Sequence, residues 1–255
     1  MTMNRRRFLG VAGLSALAVA GKRGFDALTD GGRAEGATER RPAARWAMVI
    51  DLRKCVNDRG CTDCIAACDR AHNVPHFDER AHDVKWIWRE PFEKVFADHG
   101  SPYTEDAFKG KSLPVLCNHC DNPPCVRVCP VKATWKRDDG IVMMDYHRCI
   151  GCRYCMAACP YGARSFNWLD PRPRIKELNP DFPTRTKGVV EKCNFCEERL
   201  AKGRAPACVE ACGERALVFG NLHDPGSEVR RLLRTRHAIR RKPELGTGPN
   251  VYYLV

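Results

Sequence analysis

The residues with the clearest chemistry in this sequence are its 16 cysteines, which fall into four groups of four separated by short gaps. Thiolates on such gaps are the ligands with which proteins hold iron–sulfur clusters. Two of the groups close with a three-residue gap, a last cysteine and a proline, at Cys129-Pro130 and Cys159-Pro160. The four groups are Cys55-x5-Cys61-x2-Cys64-x3-Cys68, Cys117-x2-Cys120-x4-Cys125-x3-Cys129, Cys149-x2-Cys152-x2-Cys155-x3-Cys159 and Cys193-x2-Cys196-x11-Cys208-x3-Cys212. This arrangement predicts the ligands of four iron–sulfur clusters.

Disulfides and zinc ribbons are two other uses of closely spaced cysteines. Either would account for the Cys-x2-Cys pairs, but neither accounts for the two Cys-x3-Cys-Pro endings. A zinc-binding interaction module stays open as an alternative. Metal analysis that found zinc without iron or acid-labile sulfide would favour it.

The gaps between the cysteines have a physical cause. Three thiolates reach three corners of one cubane when two-residue gaps curl the backbone around it, and the fourth corner needs a more distant residue. In two-cluster ferredoxins the cysteine after the three-residue gap binds the neighbouring cluster, and only group three, Cys149 to Cys159, matches that run at every gap. Each group is therefore expected to give three ligands to one cluster and one ligand to another.

The charge of the chain is strongly positive, with 43 basic and 31 acidic residues, or 43 − 31 = +12. Each [4Fe-4S] cluster held by four thiolates carries about −2, so four clusters would offset most of this charge. No basic stripe interleaved with aromatic residues is present, so the sequence does not indicate nucleic-acid binding. The basic residues near cysteines that we expect to compensate cluster charge are Arg127, Lys132, Arg148, Arg153 and Arg164.

The N-terminus resembles a twin-arginine export signal. Three arginines, Arg5 to Arg7, precede an apolar stretch from Phe8 to Ala20 that is too short to span a bilayer comfortably. The alternative is a basic start followed by a buried helix. Because the twin-arginine route carries proteins already folded around their cofactors, the signal agrees with thiols that bind clusters and predicts a periplasmic protein bound peripherally to a membrane complex.

Secondary-structure signals recur around the cysteine groups. Apolar runs at Trp46–Asp51 and Ile141–Asp145 predict strands, the second of them preceded by a hairpin turn at 137–140. Short helices are expected at 62–71, 154–158 and 207–211, and the first of them would carry Cys68 on its face. The order of strand, cluster loop and short helix predicts an α+β fold of tandem bacterial ferredoxin-like βαβ cluster-binding repeats, with loop insertions and much irregular structure.

The chain divides into four predicted segments. They are a signal peptide over 1–20, a flexible linker over 21–45, a four-cluster ferredoxin domain over 46–225, and a basic helix with a C-terminal tail over 226–255. Within the domain, an inner unit over 112–168 holds groups two and three. An outer unit combines 46–72 with 189–222 and holds groups one and four.

Three segments lie outside the cluster motifs. The insertion 69–116 is rich in large aromatic residues, which we expect to pack in the core more than to form a docking face. Among them are Trp86, Trp88, Phe92, Phe96, Tyr103 and Phe108. Segment 170–188 is predicted to be an irregular surface loop. The arginine-rich segment 228–242 is predicted to be a helix with a solvated face, with contact to a membrane surface or an acidic partner as the alternative.

No catalytic motif accompanies the cysteines. The sequence has no Cys-x2-Cys-His haem site, no Walker sequence and no dinucleotide fingerprint. His119 and His147 flank cysteines, where polar packing or a hydrogen bond that tunes a cluster potential is favoured over ligation. We therefore expect an electron-transfer subunit without a catalytic residue or a small-molecule substrate of its own.

From Trp46 onward the chain resembles the four-cluster ferredoxin subunits of membrane-associated oxidoreductases, such as those of dimethyl sulfoxide, polysulfide and formate-linked nitrite reductases. The stretches that carry the resemblance are 116–125, 149–162 and the tail 244–254. With its own twin-arginine signal and segment 140–167, the chain is most similar within that family to the periplasmic DsrO subunits of the sulfite-reduction-associated Dsr transmembrane complex.

The resemblance implies crossed ligation of four [4Fe-4S] clusters. The implied ligand sets are Cys55, Cys61, Cys64 and Cys212; Cys193, Cys196, Cys208 and Cys68; Cys117, Cys120, Cys125 and Cys159; and Cys149, Cys152, Cys155 and Cys129. The chain departs from the family at the five-residue first gap of group one, where 57–60 must bulge out. Groups one and four also lack the closing proline, with Asp69 and Gly213 in its place.

The resemblance also implies partners and a role. The chain would relay electrons between an integral membrane quinone-reactive subunit of the NrfD, PsrC or DsrP type and another redox subunit, in dissimilatory sulfur metabolism. In the Dsr case a periplasmic multihaem cytochrome c is a further partner. The alternative within redox chemistry is the electron-transfer subunit of a molybdopterin oxidoreductase that reduces dimethyl sulfoxide, polysulfide or a similar compound.

Overall fold

The computed structural model describes residues 44–55, 60–97, 106 and 108–255. Several sequence predictions concern residues beyond these ranges and stay predictions. They are the signal peptide over 1–20, the linker up to residue 43, the bulge at 57–59, and the packing of Tyr103.

Strands and short helices alternate along the described chain. The strands are β1 (Trp46–Asp51), β2 (Ile87–Pro91), β3 (Ser112–Leu116), β4 (Thr134–Lys136), β5 (Val142–Met144), β6 (Ser165–Phe166), β7 (Val190–Glu191), β8 (Leu217–Asn221), β9 (Ala238–Ile239) and β10 (Val251–Leu254). The helices are α1 (Leu52–Cys55), α2 (Asp63–His72), α3 (Phe92–Val95), α4 (Pro124–Arg127), α5 (Tyr154–Ala157), α6 (Glu197–Leu200), α7 (Ala207–Glu210) and α8 (Glu228–Thr235). None of these helices has the length and apolar character needed to cross a bilayer.

A four-stranded sheet in the order β8-β1-β10-β9 joins the two ends of the described chain. β1 runs parallel to β10, with Met48 opposite Val251, and antiparallel to β8, with Met48 opposite Phe219. Residues 47–50 are fully buried because both faces of the central strand are covered, which explains an almost continuous apolar run. The predicted strand at Trp46–Asp51 is confirmed, and the C-terminal tail supplies its parallel neighbour.

Helix α8 covers one face of this sheet. Val229 is fully buried in a cluster with Ala47, Val49 and Leu254. The helix ends at Thr235, so the prediction of a helix as far as 242 was wrong in length. Arginines of the segment are also engaged within the protein: Arg231 pairs with Glu228, Arg236 pairs with Asp51, and Arg241 lies over the ring of Tyr161.

The remaining strands form two-stranded ribbons, β2-β3, β4-β5 and β6-β7. β4 and β5 are antiparallel and joined by the predicted hairpin turn, where Gly140 takes a φ of +88° that favours glycine. The predicted short helices appear as α2, α5 and α7. The described aromatic residues of the insertion pack as expected, since Trp86, Phe92, Phe96 and Phe108 are buried and Trp88 packs against the same core.

Segment 170–188 is irregular but not confined to the surface, which corrects that prediction. Phe182 is buried, and the Arg185 guanidinium is fully buried 2.6 Å from a Glu191 carboxylate oxygen that is also fully buried. Arg185 also donates to the carbonyls of His72 and Asn73, while Trp86 donates to Glu191. A buried charge needs a partner and hydrogen bonds, so this pair draws the segment inward.

Replacing Arg185 with Met should lower the free energy of unfolding by about 3–5 kcal/mol, because Glu191 would remain buried without its counter-charge. Arg172, which pairs with Asp170 at the surface, provides the matched control, and Arg172→Met should leave stability unchanged. Urea unfolding of the holoprotein, followed by circular dichroism and cluster absorbance, measures both. Equal losses for the two variants would contradict this role of the buried pair.

Candidate metal centres

The cysteines of groups one and four meet at the first of four sets. Cys55, Cys61, Cys64 and Cys212 line one cavity of about 70 Å³. Cys55 ends α1, Cys64 lies in the first turn of α2, and Cys212 follows α7. Burial raises the pKa of the Cys64 thiol to about 12, and the charges of the other three cysteines add to this shift. Cys55 therefore reaches the other three thiols despite the long gap in group one.

The second set forms where α2 packs on α7. Cys68 is buried on the face of α2, and its thiol lies among those of Cys193, Cys196 and Cys208. Burial is the main cause that raises the pKa of Cys68 well above its usual value, and the charges of the other three thiols raise it further. Helix α2 thus serves two sets, with Cys64 facing one and Cys68 facing the other.

The third set unites groups two and three. Cys117, Cys120, Cys125 and Cys159 line a second cavity together with Asn118. Burial and the charge of Cys117 raise the pKa of the Cys120 thiol to about 12, although a hydrogen bond from the Thr247 side chain opposes the shift. Cys125 comes from α4, and Cys159 follows α5.

The fourth set, as the sequence predicts it, comprises Cys149, Cys152, Cys155 and Cys129. Cys155 and Cys149 lie in one apolar cluster, and burial raises the pKa of Cys155 while the neighbouring Arg164 lowers it. Cys152 is half-buried in the same loop, and Cys129 follows α4, which packs on α5. The Cys129 sulfur accepts a hydrogen bond from the amide of Ala133 at 3.2 Å. Within this set, the charge of Cys149 adds to the rise in the pKa of Cys155.

The four sets follow one another in a row. Cys64 of the first set is close enough to Cys208 of the second for its charge to raise the pKa of Cys208, although burial is the larger cause. The charge of Cys117, in the third set, acts in the same way on the pKa of Cys193 in the second, again after burial. The charge of Cys125, in the third set, likewise raises the pKa of Cys155 in the fourth set. The order is therefore first, second, third, fourth.

The donor chemistry fits iron–sulfur clusters. All sixteen cysteines are free of disulfide bonds. Burial and mutual repulsion raise the pKa of thiols that are gathered in fours. Four thiolates at one buried point are therefore unfavourable unless a metal centre binds them. The side chain of Asn118, which borders the third set, is buried with both polar atoms lacking a protein partner. A hydrogen bond to a cluster sulfur would satisfy such a group.

Two buried cations lie between the sets. Arg164 is near the thiols of Cys125, Cys155 and Cys117; burial lowers its pKa, but these charges outweigh burial and raise it. Lys192 is fully buried and donates to the carbonyls of Val142 and Cys193. Burial lowers the pKa of Lys192, and the nearby thiolates oppose that shift.

The structure places the five predicted compensating residues differently. Arg164 lies among the cysteines, whereas Arg127, Lys132, Arg148 and Arg153 are exposed. Sequence reasoning missed Lys192, although its position directly before Cys193 was a usable signal. The two histidines that flank cysteines differ in solvent exposure, because His119 is fully buried and His147 is exposed.

His72 is a further group that sequence reasoning missed. Its ring is buried and stacked on Trp86, with centroids 4.5 Å apart. Nδ1 lies 2.9 Å from the carbonyl oxygen of Cys68, and Nε2 lies 3.0 Å from a carboxylate oxygen of Glu198. Burial lowers the pKa of His72, but hydrogen bonds to Cys196 and Glu198 outweigh it and raise the pKa to about 9. The contacts hold the Cys68 turn of α2 in place beside the second set.

The loop of group three carries an exposed apolar patch, which comprises Ile150, Tyr154, Trp168 and Leu169. Ile150 and Tyr154 are 64% and 63% exposed. The Arg153 guanidinium lies 4.7 Å from the ring centroid of Trp168, which brings that residue next to the loop. Clustered aromatic and apolar residues with arginine are typical of the centres of protein interfaces.

Comparison with known proteins agrees with this geometry. Two family models described as 4Fe-4S dicluster domains match residues 108–172 and 148–217. The chain is 43% identical to the Hdr-like menaquinol oxidoreductase iron-sulfur subunit 1 of Archaeoglobus fulgidus, over 98% of this chain and 97% of that protein. It is 41% identical to the iron-sulfur cluster-binding subunit of menaquinone reductase of Nitratidesulfovibrio vulgaris, over 82% of this chain and 88% of that protein.

A third relative is a subunit of the tetrathionate reductase of Salmonella typhimurium, 41% identical over 84% of this chain and 73% of that protein. Two overlapping dicluster domains and the many cysteines show that the protein carries four [4Fe-4S] clusters, as the sequence predicts. The same matches decide against the zinc-binding module.

The loop of group three gives a sharp test through two glycines with similar backbones. Gly151 and Gly162 have φ values of +70° and +64°, so alanine should strain either one by about 1–2 kcal/mol. A Cβ at Gly151 would also lie 2.5 Å from the Gly188 carbonyl oxygen, whereas a Cβ at Gly162 meets nothing within 4 Å. We expect Gly151→Ala to lose one cluster, or about four iron atoms per chain, and Gly162→Ala to keep it. Iron and acid-labile sulfide assays measure this, and equal contents in both variants would refute it.

Proposed function

The chain belongs to the family of iron–sulfur electron-transfer subunits of membrane-associated oxidoreductases, and we propose that it relays electrons between a membrane quinone-reactive subunit and another redox subunit. The observation that carries the proposal is the row of four cysteine sets. A cluster bound at each set would accept and release one electron at a time, and adjacent sets are near enough for their charges to interact. We propose no substrate site and no catalytic residue in this chain.

Each cluster has its own ligands in this proposal. The first set, Cys55, Cys61, Cys64 and Cys212, and the third, Cys117, Cys120, Cys125 and Cys159, are supported by the cavities that they line. The second set, Cys68, Cys193, Cys196 and Cys208, is supported by the mutual effect of its thiols on the pKa of Cys68. The fourth set, Cys129, Cys149, Cys152 and Cys155, is supported by the shared apolar cluster of Cys149 and Cys155 and by the crossed pattern of the other three sets.

The two ends of the row differ in their surfaces. The first set is bordered by the exposed carboxylates of Asp63 and Glu214, while its apolar neighbours Ala216 and Leu217 are buried. The fourth set is bordered by the apolar patch, with Ile150 directly between two of its cysteines. A lasting subunit contact favours the apolar end because burying such surface stabilises an interface. We assign this end to the membrane quinone-reactive subunit and the charged end to the other redox partner.

The names of two relatives support a quinone partner, since one is a subunit of a menaquinol oxidoreductase and the other of a menaquinone reductase. We propose a membrane subunit of the NrfD, PsrC or DsrP type for this chain. The finer assignment is to the DsrO type, acting in dissimilatory sulfur metabolism with a multihaem cytochrome c as a further partner. Its supports are the export signal and the resemblance of segment 140–167.

A second candidate is the electron-transfer subunit of a molybdopterin oxidoreductase. The similarity to a tetrathionate reductase subunit favours a terminal reductase that acts on a sulfur compound. Purification of the native complex through a tag on this chain separates the two candidates. A large molybdopterin subunit at the charged end would decide for the second candidate, and a multihaem cytochrome c would decide for the first.

The location that we propose is the periplasm, reached in the folded state by the twin-arginine route. The support is the run Arg5-Arg6-Arg7-Phe8-Leu9 before an apolar stretch. Changing Arg5 and Arg6 to lysine keeps the charge but removes the arginine pair, and it should leave the protein in the cytoplasm. Cell fractionation checks this, and undiminished periplasmic protein in the double variant would refute it.

The assignment of the apolar end predicts that Ile150→Asp releases the membrane subunit. A carboxylate within the patch would have to be buried against an apolar partner, which is unfavourable. Leu178 is 63% exposed in segment 170–188, so Leu178→Asp is the matched control and should keep the complex intact. The measurements are the subunits recovered with each tagged variant and the iron content of the chain. A complete complex with Ile150→Asp at full iron content would overturn the assignment.

A further inference from the structure

Two loops with the same residue pattern face each other at the middle of the row. Group two contains Cys117-Asn118-His119-Cys120, and group four contains Cys193-Asn194-Phe195-Cys196. Each therefore places a ring between the two cysteines of a Cys-Asn-x-Cys loop. The rings of His119 and Phe195 are stacked on each other, with centroids 3.7 Å apart and planes within 19°.

Both rings lie at a position where the backbone of the loop is left-handed. The φ values are +41° at His119 and +57° at Phe195, in the left-handed region that bulky residues rarely adopt. Such a conformation is unfavourable for a large side chain and persists only where surrounding contacts enforce it. Gly151 has the same left-handed backbone at the corresponding place of the Cys149-x2-Cys152 loop, so this conformation belongs to the loop turn. At His119 and Phe195 the position carries large rings, and these rings meet.

Contacts from three other elements hold the pair. The amide of Val142 in β5 donates to Nδ1 of His119 at 3.0 Å. The side chain of Asn250, just before β10, donates to the His119 carbonyl at 2.7 Å. On the other side, Phe219 in β8 meets Phe195 edge-on at 5.2 Å. Both rings are almost completely buried, at 0% and 1% exposure. The contact is dry and fixed on both sides.

The stack lies where the second set meets the third. Cys117 and Cys193, which belong to these two loops, interact through their charges. This contact therefore lies between the second and third sets, at the centre of the row. The loops approach each other through the two rings, since His119 and Phe195 occupy the middle of each loop.

We propose that the His119–Phe195 stack is the positioning device for electron transfer between the two central clusters. The ring pair fixes the separation of the two loops and keeps water out of the gap. One electron crosses at this step, so one side is oxidised and the other reduced by one electron, with no bond or proton transferred. Because tunnelling rates fall steeply with distance, a fixed ring contact sets the rate of this step. The inference rests on the proposed electron relay.

The test replaces one ring without changing any cysteine. Phe195→Leu removes the stack, and we expect weaker spin–spin coupling between the central clusters in the EPR spectrum of the fully reduced holoprotein. We also expect several-fold slower electron equilibration after flash reduction by photoexcited deazaflavin, followed by freeze-quench EPR. His119→Phe retains a ring against Phe195 and should retain both the coupling and the rate.

A matched control is a second stacked pair in the same core. Phe92 stacks on Phe108 with centroids 5.4 Å apart and planes within 16°, and neither ring belongs to a Cys-x2-Cys loop. Phe92→Leu should leave the coupling and the rate unchanged. Iron is counted first in every variant, and a parent protein with clearly fewer than about sixteen iron atoms would contradict the relay itself.

The outcomes distinguish the proposed role of the His119–Phe195 stack from the proposed electron relay. Full iron content, unchanged coupling and an unchanged rate in Phe195→Leu would overturn the proposed role of the His119–Phe195 stack. The proposed electron relay would not be affected. If Phe195→Leu lowers the iron content, Phe195→Met fills a similar volume without a ring and serves as the second variant. Loss of iron from both variants would also overturn the proposal, since the ring would then serve cluster assembly. Full iron with lost coupling in either variant supports it.

Discussion

Gathering four ionised sulfurs around one buried point opposes folding unless a metal centre binds them, because each buried charge loses its hydration and repels the others. The rise in pKa at Cys64, Cys120 and Cys68 expresses this cost in the protein alone. Cluster binding makes the gathering of thiolates favourable, because the iron atoms bind them. The cluster also links chain segments that are far apart in sequence. The short helices and two-stranded ribbons around the sets are too small to be stable alone. The fold therefore depends on thiolate ligation, together with an apolar core that joins the four-stranded sheet to the aromatic residues of segment 69–116.

Crossed ligation explains why such short elements hold their places. α2 contributes Cys64 to one set and Cys68 to the next, so a helix of ten residues links two neighbouring centres. His72 at the end of the same helix bonds to Glu198, and Arg185 bonds to the His72 carbonyl while pairing with Glu191. Buried charges in this protein are thus balanced locally, with Lys192 and Arg164 beside the thiolates and Arg185 beside a carboxylate. The positive net charge of the sequence is partly a property of the interior.

The sequence allowed good prediction wherever the cause is local. Spacing identified all sixteen cysteines, apolar runs identified β1 and β5, and a turn signal identified the hairpin between β4 and β5. Prediction failed where the cause is a distant contact. The burial of Arg185 depends on Glu191 and on carbonyls of residues 72 and 73, and the inward position of segment 170–188 follows from it. The end of α8 at Thr235 likewise reflects packing on β1, together with the pairing of Ala238 with Leu254. The stack of His119 on Phe195 joins loops of two different groups, and no local pattern reveals such a contact.

The sequence positions of the ligands impose an order on assembly. Groups two and three are close neighbours, so the two sets they share close short loops at a small entropic cost. The first set joins three cysteines of group one to one of group four, and the second joins one of group one to three of group four. The sheet that supports them needs β10 to pair with β1. These contacts form only when synthesis is almost complete. The His119–Phe195 contact also joins the early unit to the late one, because His119 belongs to group two and Phe195 to group four. A continuous row of sets is thus a property of the complete fold, which suits the export in the folded state that we propose.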